Sequence, residues 1–183
     1  FVQYSSIFLF LTTGFEEIEA LGTVDVLRRG GLDVKTVSLT DSKQVVASHQ
    51  IPVIADLMFD EVDFSKAEML VLPGGTTKFN EHEGLKKELL AFANKGEKVA
   101  AICASPMVLG GLGLLEGKSA TAYPGYEQYL KGATLQTEKA VVIDGNITTG
   151  RGPGLTIDFA LSLVEQLRGK AKRDEVAAGL LVQ

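Results

Sequence analysis

Apolar runs of four to six residues alternate with stretches of helical periodicity along the whole chain, and few architectures accept that pattern. Such runs are apolar at every position, so each strand is covered on both faces. Helices between them supply the cover, which predicts an α/β fold with a mostly parallel sheet. Residues 7–11 read as the first strand and 16–29 as a helix whose turns are marked by Ile18, Leu21, Val24, Asp25 and Leu27 before Gly30-Gly31 ends it. Residues 33–39 follow as a strand, 69–72 as a core strand stopping at Pro73-Gly74-Gly75, 84–94 as an amphipathic helix and 99–102 as the strand before Cys103. Residues 120–122 form a short strand, and 140–143 pair with 147–149 across Asp144-Gly145-Asn146. The most regular helix spans 155–167, and 175–181 makes a short terminal helix. Between 41 and 54 two extended pieces, 45–47 and 51–53, read as a small hairpin or an edge excursion, since Pro52 argues against a central strand. No repeat or linker divides the chain, so residues 1–183 read as one domain.

A chain of 183 residues buries roughly 70% of the surface its unfolded form exposes and needs no staple. Its single cysteine forms no internal disulfide, which points to a reducing, cytoplasmic setting. Lys and Arg number 18 against 23 Asp and Glu, scattered along the chain with a net charge of −5, so no nucleic-acid surface is expected. The apolar stretch 7–11 is far too short to cross a bilayer and lacks the flanks of a secretory leader, so neither membrane nor leader is expected. His49 and His82 stand far apart with no cysteine beside either, which leaves no pattern for a structural metal.

Three strand ends carry unusual residues: Gly14-Phe15-Glu16-Glu17-Ile18-Glu19 after the first, Pro73-Gly74-Gly75 after the third, and Cys103 after Ile102. In open parallel sheets ligands bind beyond the carboxyl ends of the strands, so these ends should meet in one crevice. Cys103 sits where a strand turns into a Pro-containing helix start, and free N–H groups there favour a thiolate. The competing reading is a buried cysteine that only fills space. Glu16, Glu17 and Glu19 can each reach toward a thiol, yet acidic residues at a helix start also serve the helix dipole, and the sequence does not choose among them. Gly74 and Gly75 suit backbone N–H groups approaching a reacting atom, or a plain turn. Gly150-Arg151-Gly152-Pro153-Gly154 suits an anion at a helix start, or a tight strand-to-helix connection.

Ala100-Ala101-Ile102-Cys103-Ala104-Ser105-Pro106, Val71-Leu72-Pro73-Gly74-Gly75, Glu16-Glu17-Ile18-Glu19, Val24-Asp25-Val26-Leu27-Arg28-Arg29-Gly30-Gly31 and Arg151-Gly152-Pro153-Gly154 stand in this order. Together they resemble the ThiJ/PfpI superfamily, nearest its Parkinson-associated deglycase branch, over residues 6–182. The resemblance implies a flavodoxin-like three-layer α/β/α sandwich with Cys103 on a nucleophile elbow. It implies that Glu19 is protonated and hydrogen-bonds the sulfur, with Gly75 and Ala104 supplying backbone N–H groups and Gly74, Ser105 and Tyr123 bordering the pocket. It also implies a homodimer with the pocket near the interface, no cofactor and no metal, and glyoxalase, deglycase, chaperone or oxidative-stress roles.

The chain departs from the family at several points. Ala104 and Tyr123 occupy positions where relatives carry histidine, which argues against a Cys-His peptidase; no feature supports a thiamine-pathway role either. A tyrosine hydrogen-bonds but is a poor base near neutral pH. His49 replaces an interface arginine, and it reads as a solvated histidine or, with Arg29, as a small anion-binding patch. His82 reads as solvent-exposed. The expectation is a thiol lowered from about 8.5 to about 5 to 6, reacting with small carbonyls or with peroxide. A chaperone or binding module with an incidental cysteine is the alternative.

Overall fold

The computed structural model describes residues 5–183, so the first four positions of the expected domain lie outside the described residues. In chain order the elements are β1 (Ser6–Leu11), α1 (Glu17–Arg29), β2 (Asp33–Ser38), β3 (Gln44–Val46), β4 (Pro52–Ile54), β5 (Leu57–Met58), β6 (Ala67–Leu72), α2 (Glu83–Asn94), β7 (Lys98–Ile102), α3 (Pro106–Gly111), β8 (Ser119–Ala120), β9 (Thr134–Leu135), β10 (Val141–Asp144), β11 (Ile147–Gly150), α4 (Thr156–Arg168) and α5 (Lys170–Gly179).

Seven strands form one sheet in the order β10-β11-β7-β6-β1-β2-β5, parallel except for the edge strand β10. From β1 the chain steps outward to β2, and from β6 it steps the opposite way to β7. Right-handed crossovers therefore set α1 and α2 on opposite faces. Helix α4 packs on α1 and α5 on α4, which completes a flavodoxin-like α/β sandwich. The reversal leaves a crevice at the carboxyl ends of β1 and β6, with β7 beside them.

Burial explains the apolar runs in β1, β6 and β7: Ile7, Leu9, Phe10, Leu11, Leu70, Leu72, Ala100 and Ile102 lose all contact with solvent. Each large side chain so buried contributes roughly 1.5–3 kcal/mol relative to exposure. Phe8 and Phe10 meet Phe64 at centroid distances of 6.2 and 6.3 Å, and Phe59 packs on Phe64 at 5.8 Å. That group fills the space between β1 and the start of α2, whose first turn His82 caps while lying edge-on to Phe59 at 4.7 Å.

The small elements include the expected hairpin and two departures from the sequence reading. The hairpin β3–β4 is antiparallel and separate from the main sheet, but it is docked to it: the Gly14 N–H donates to the Val46 carbonyl and the Ser48 N–H to the Phe15 carbonyl, both at 2.8 Å. The strand expected near 120–122 pairs in parallel with β9, whose two residues are too few to show a period in sequence. The terminal helix starts at Lys170, five residues earlier than expected. Lys170–Asp174 and Lys172–Glu175 ion pairs at 2.8 and 3.0 Å favour its first turns in place of an apolar period. Among the described residues no helix is long and apolar enough to cross a membrane.

Candidate active site

Two backbone hydrogen bonds fix Cys103 at the end of β7. Its N–H donates to the Gly150 carbonyl at 3.0 Å, and its carbonyl accepts the Tyr123 N–H at 2.9 Å. Its φ is +69°, a conformation that residues with a Cβ seldom adopt and that costs of order 1–3 kcal/mol. The Ser105 hydroxyl donates to the Pro73 carbonyl and ties this turn to the end of β6. The chain can approach there only because residue 74 is glycine: a Cβ on Gly74 would lie 2.6 Å from the Cys103 Cβ and 3.0 Å from the Ala104 nitrogen. Gly75 has φ +91°, and a side chain on it would run into the backbone of Gly14 and Glu16. Its N–H and that of Ala104 act on the Cys103 sulfur by lowering the thiol's value.

The start of α1 closes the other side. The Glu16 N–H donates to the Gly74 carbonyl at 2.9 Å, and the Glu16 carboxylate caps the helix by accepting the Glu19 N–H at 2.8 Å. Glu19 is fully buried, and its Oε1 accepts the Gly74 N–H at 2.9 Å. Its Oε2 is buried with no hydrogen-bond partner among the described residues. Burial pushes the Glu19 carboxyl up to about 7, against the lowering influence of the neighbouring Cys103 thiol and of the Gly74 N–H. Burial also pushes the Cys103 thiol up, to about 12, with the Glu19 charge adding to the rise and the Ala104 and Gly75 N–H groups opposing it.

That direction corrects the expected lowered thiol. Helix α3 has only six residues, with Pro106 at its start, and its dipole is too small to offset burial beside a carboxylate. Physically the pair accommodates one negative charge and not two, so its titrations belong to the couple. When Glu19 holds the proton, the Gly75 and Ala104 N–H groups favour the charge on the sulfur.

Tyr123, 45% exposed, adjoins the site through its backbone, while its ring lies against Gly152. Arg29 and His49 are not brought together within the chain. Arg29 pairs with Asp25 at 2.5 Å on the last turn of α1, whereas His49 joins Glu17 on the first, about 18 Å away along a helix rising ~1.5 Å per residue. The Glu17 carboxylate accepts the His49 N–H at 2.8 Å and meets the ring Nδ1 at 2.9 Å. Burial raises Glu17, but the His49 and Ser48 hydrogen bonds outweigh it and hold the carboxyl at about 2. His49 is thus tied at the rim of α1, its own value raised by the same carboxylate. His82 is also tied: its Nδ1 accepts the Leu85 N–H at 2.9 Å, which corrects the reading of a free surface histidine. Glu16, Glu17 and His49 bring donor atoms within 4.8 Å of one another. Cap and ion pair already engage them, and the positive end of a helix disfavours a cation there.

With the elbow and its carboxyl in place, comparison with known proteins decides the lineage. Residues 5–166 match the model of the DJ-1/PfpI family. The chain belongs to that family. It is 42% identical over 176 residues to protein DJ-1 homolog A of Arabidopsis thaliana, covering 93% of this chain and 45% of that one; the chain spans less than half of that relative. It is 39% identical over 181 residues to protein dj-1beta of Drosophila melanogaster, covering 97% of each. The crystal structure of Drosophila DJ-1beta superposes with a TM-score of 0.93 over 98% of both chains at 38% identity. A Caenorhabditis elegans DJ-1/PfpI relative, 29% identical over 95% of this chain and 94% of its own length, is named glutathione-independent glyoxalase DJR-1.2.

Proposed function

We propose that this DJ-1/PfpI protein uses Cys103 as a nucleophile toward small reactive carbonyls, converting 2-oxoaldehydes to 2-hydroxy acids with Glu19 as proton carrier. One observation carries the reading: a buried sulfur faces two backbone N–H donors and a buried carboxyl pushed up to about 7, a group poised to exchange protons near neutrality. The glyoxalase name of the nematode relative supports the reaction class.

In this scheme Glu19 accepts the thiol proton as sulfur attacks the aldehyde carbon. The C–S bond forms, and the carbonyl π electrons move to an oxygen held by the Gly75 and Ala104 N–H groups. The Glu19 carboxyl returns the proton to that oxygen, giving a hemithioacetal. Glu19 then removes a proton from the former aldehyde carbon, the C–H electrons form a C=C bond and the ketone oxygen takes a proton to give an enediol. Returning a proton to the neighbouring carbon while the other hydroxyl loses its own leaves a 2-hydroxy thioester. Water cleaves the C–S bond, leaving a hydroxy acid and the free thiol. Substrate and water balance product without an oxidant or reductant.

The decisive experiment is steady-state conversion of a 2-oxoaldehyde by wild type and Cys103→Ser. Turnover is expected in the first and loss of at least a hundredfold in the second. No wild-type turnover with a thiol that still reacts with peroxide would move the assignment to redox sensing. Aggregation suppression equal in both would move it to a chaperone or binding role. The reading includes a homodimer, supported by the exposed apolar side chains of α1 and its adjoining hairpin, and a cytoplasmic setting, supported by the single free cysteine.

A further inference from the structure

Arg151 is the one arginine of five without a carboxylate partner among the described residues. Arg28 pairs with Asp56, Arg29 with Asp25, Arg168 with Glu68 and Arg173 with Asp174. Its Nε is buried with no hydrogen-bond partner, a state that native proteins rarely leave unexplained. The same residue lines a cavity of about 220 Å³ whose other walls include Tyr123, Pro124, Gly152, Pro153 and Leu155. That is room for a short organic chain.

The cavity adjoins the reactive centre through both of its walls. Arg151 directly follows Gly150, whose carbonyl accepts the Cys103 N–H, and Tyr123 donates its own N–H to the Cys103 carbonyl. An apolar slot bordered by an arginine without a carboxylate partner among the described residues suits a planar or tetrahedral oxyanion, because the guanidinium fork matches both. We propose that this slot is a distal subsite of the Cys103 centre, in which Arg151 holds a carboxylate or phosphate at the end of the ligand remote from the sulfur. The assignment rests on Cys103 being the reacting thiol. It names the substrate class as small carbonyl compounds that carry an anionic group.

Two readouts separate the subsite from the thiol chemistry. In the first, acetate and inorganic phosphate are titrated in separate arms into wild type and Arg151→Gln, following the Gly152 amide by NMR. A saturable shift in wild type, weakened at least tenfold in Arg151→Gln, is expected in at least one arm, and that arm identifies the oxyanion. Absence of a saturable wild-type shift in both arms, or equal shifts in wild type and variant, overturns the subsite whatever the thiol does. Arg151→Lys, which keeps the charge without the fork, should bind between the two and serves if Arg151→Gln does not fold.

In the second, Cys103 is alkylated by iodoacetate and by iodoacetamide, nearly equal in size and different in charge. Sulfur displaces iodide, the C–S bond forms as C–I breaks, and the thiol proton passes to solvent. The wild-type rate with iodoacetate should saturate and be competed by the anion that binds, and the iodoacetate-to-iodoacetamide ratio should fall at least tenfold in Arg151→Gln. An unchanged ratio overturns the link to Cys103, whereas failure of both reagents to modify wild type refutes the thiol reading while the NMR result still decides the subsite.

Discussion

A carboxyl with no exposure beside a buried sulfur makes Glu19 a stability liability as well as a functional group. Its folded value of about 7 lies above the 4.5 of an unfolded carboxyl. The stability that the protonated form confers is therefore complete below 4.5 and lost as pH rises through about 7. The gap corresponds to about 3 kcal/mol. Glu19→Gln keeps the acceptor for the Gly74 N–H and removes the charge. In urea melts the variant should match wild type at pH 4 and exceed it by up to about 3 kcal/mol at pH 8; equal gaps at both would show that Glu19 does not titrate in this range. The same substitution should bring the thiolate, read by its ultraviolet absorbance, to a lower pH than in wild type, and Glu19→Leu, with no donor for the sulfur, should show it at a higher pH than Glu19→Gln. Cys103 was legible in the sequence because one cysteine stood alone at a strand end. Glu19 was not, because three glutamates at one helix start are equivalent until packing gives Glu16 the cap, Glu17 the His49 contact and Glu19 the buried side of the turn. Resemblance to the family selected it where spacing could not.

At the level of elements, two histidines fix two helix starts and respond to pH with opposite signs. His49 gains a proton-stabilising partner in Glu17, so its folded value is raised. Its contribution is complete below 6.5 and lost as pH rises through the raised value. His82 accepts the Leu85 N–H in its neutral form, and burial lowers its value against its own backbone and Glu83. That contribution is present above 6.5 and lost as pH falls through the lowered value. Thermal melts should show His49→Gln less stable than wild type at pH 6 and nearly equal to it at pH 9. His82→Asn, a non-titrating cap, should gain on wild type between pH 8 and pH 5, and His82→Ala should lose about 1 kcal/mol at pH 8. Parallel pH profiles for wild type and both variants would remove the two histidines from these roles. Neither role was legible, since each depends on a partner brought close by folding: Glu17 is 32 residues from His49, and Phe59, which flanks His82, comes from the segment before β6.

For the whole molecule, continuous apolar runs disclosed the doubly covered sheet and the strand-end crevice, while two-residue strands such as β5 and β9 carry too little pattern to be seen. The same apolar signal, where burial fails to use it, bears on assembly. Ile18 is 59% exposed and Ile51 48%, with Leu21 and Val46 also exposed. They occupy the first turns of α1 and the hairpin pinned beside it, so they form neighbouring parts of one surface. An isolated exposed Leu or Ile needs no explanation, but several on adjoining elements mark an association surface. A second copy meeting this face would bury roughly 800 Å² per partner if the interface is of standard size. Ile18→Glu would place a carboxylate there without touching the core. Sedimentation should give a dimer mass for wild type and a monomer mass for Ile18→Glu, with unchanged far-ultraviolet circular dichroism. Because Glu17 and His49 lie beside Ile18, loss of the partner should also shift the titration of His49 followed by NMR. A monomeric wild type at micromolar concentration would refute self-association, and a dimeric Ile18→Glu would move the interface to another face.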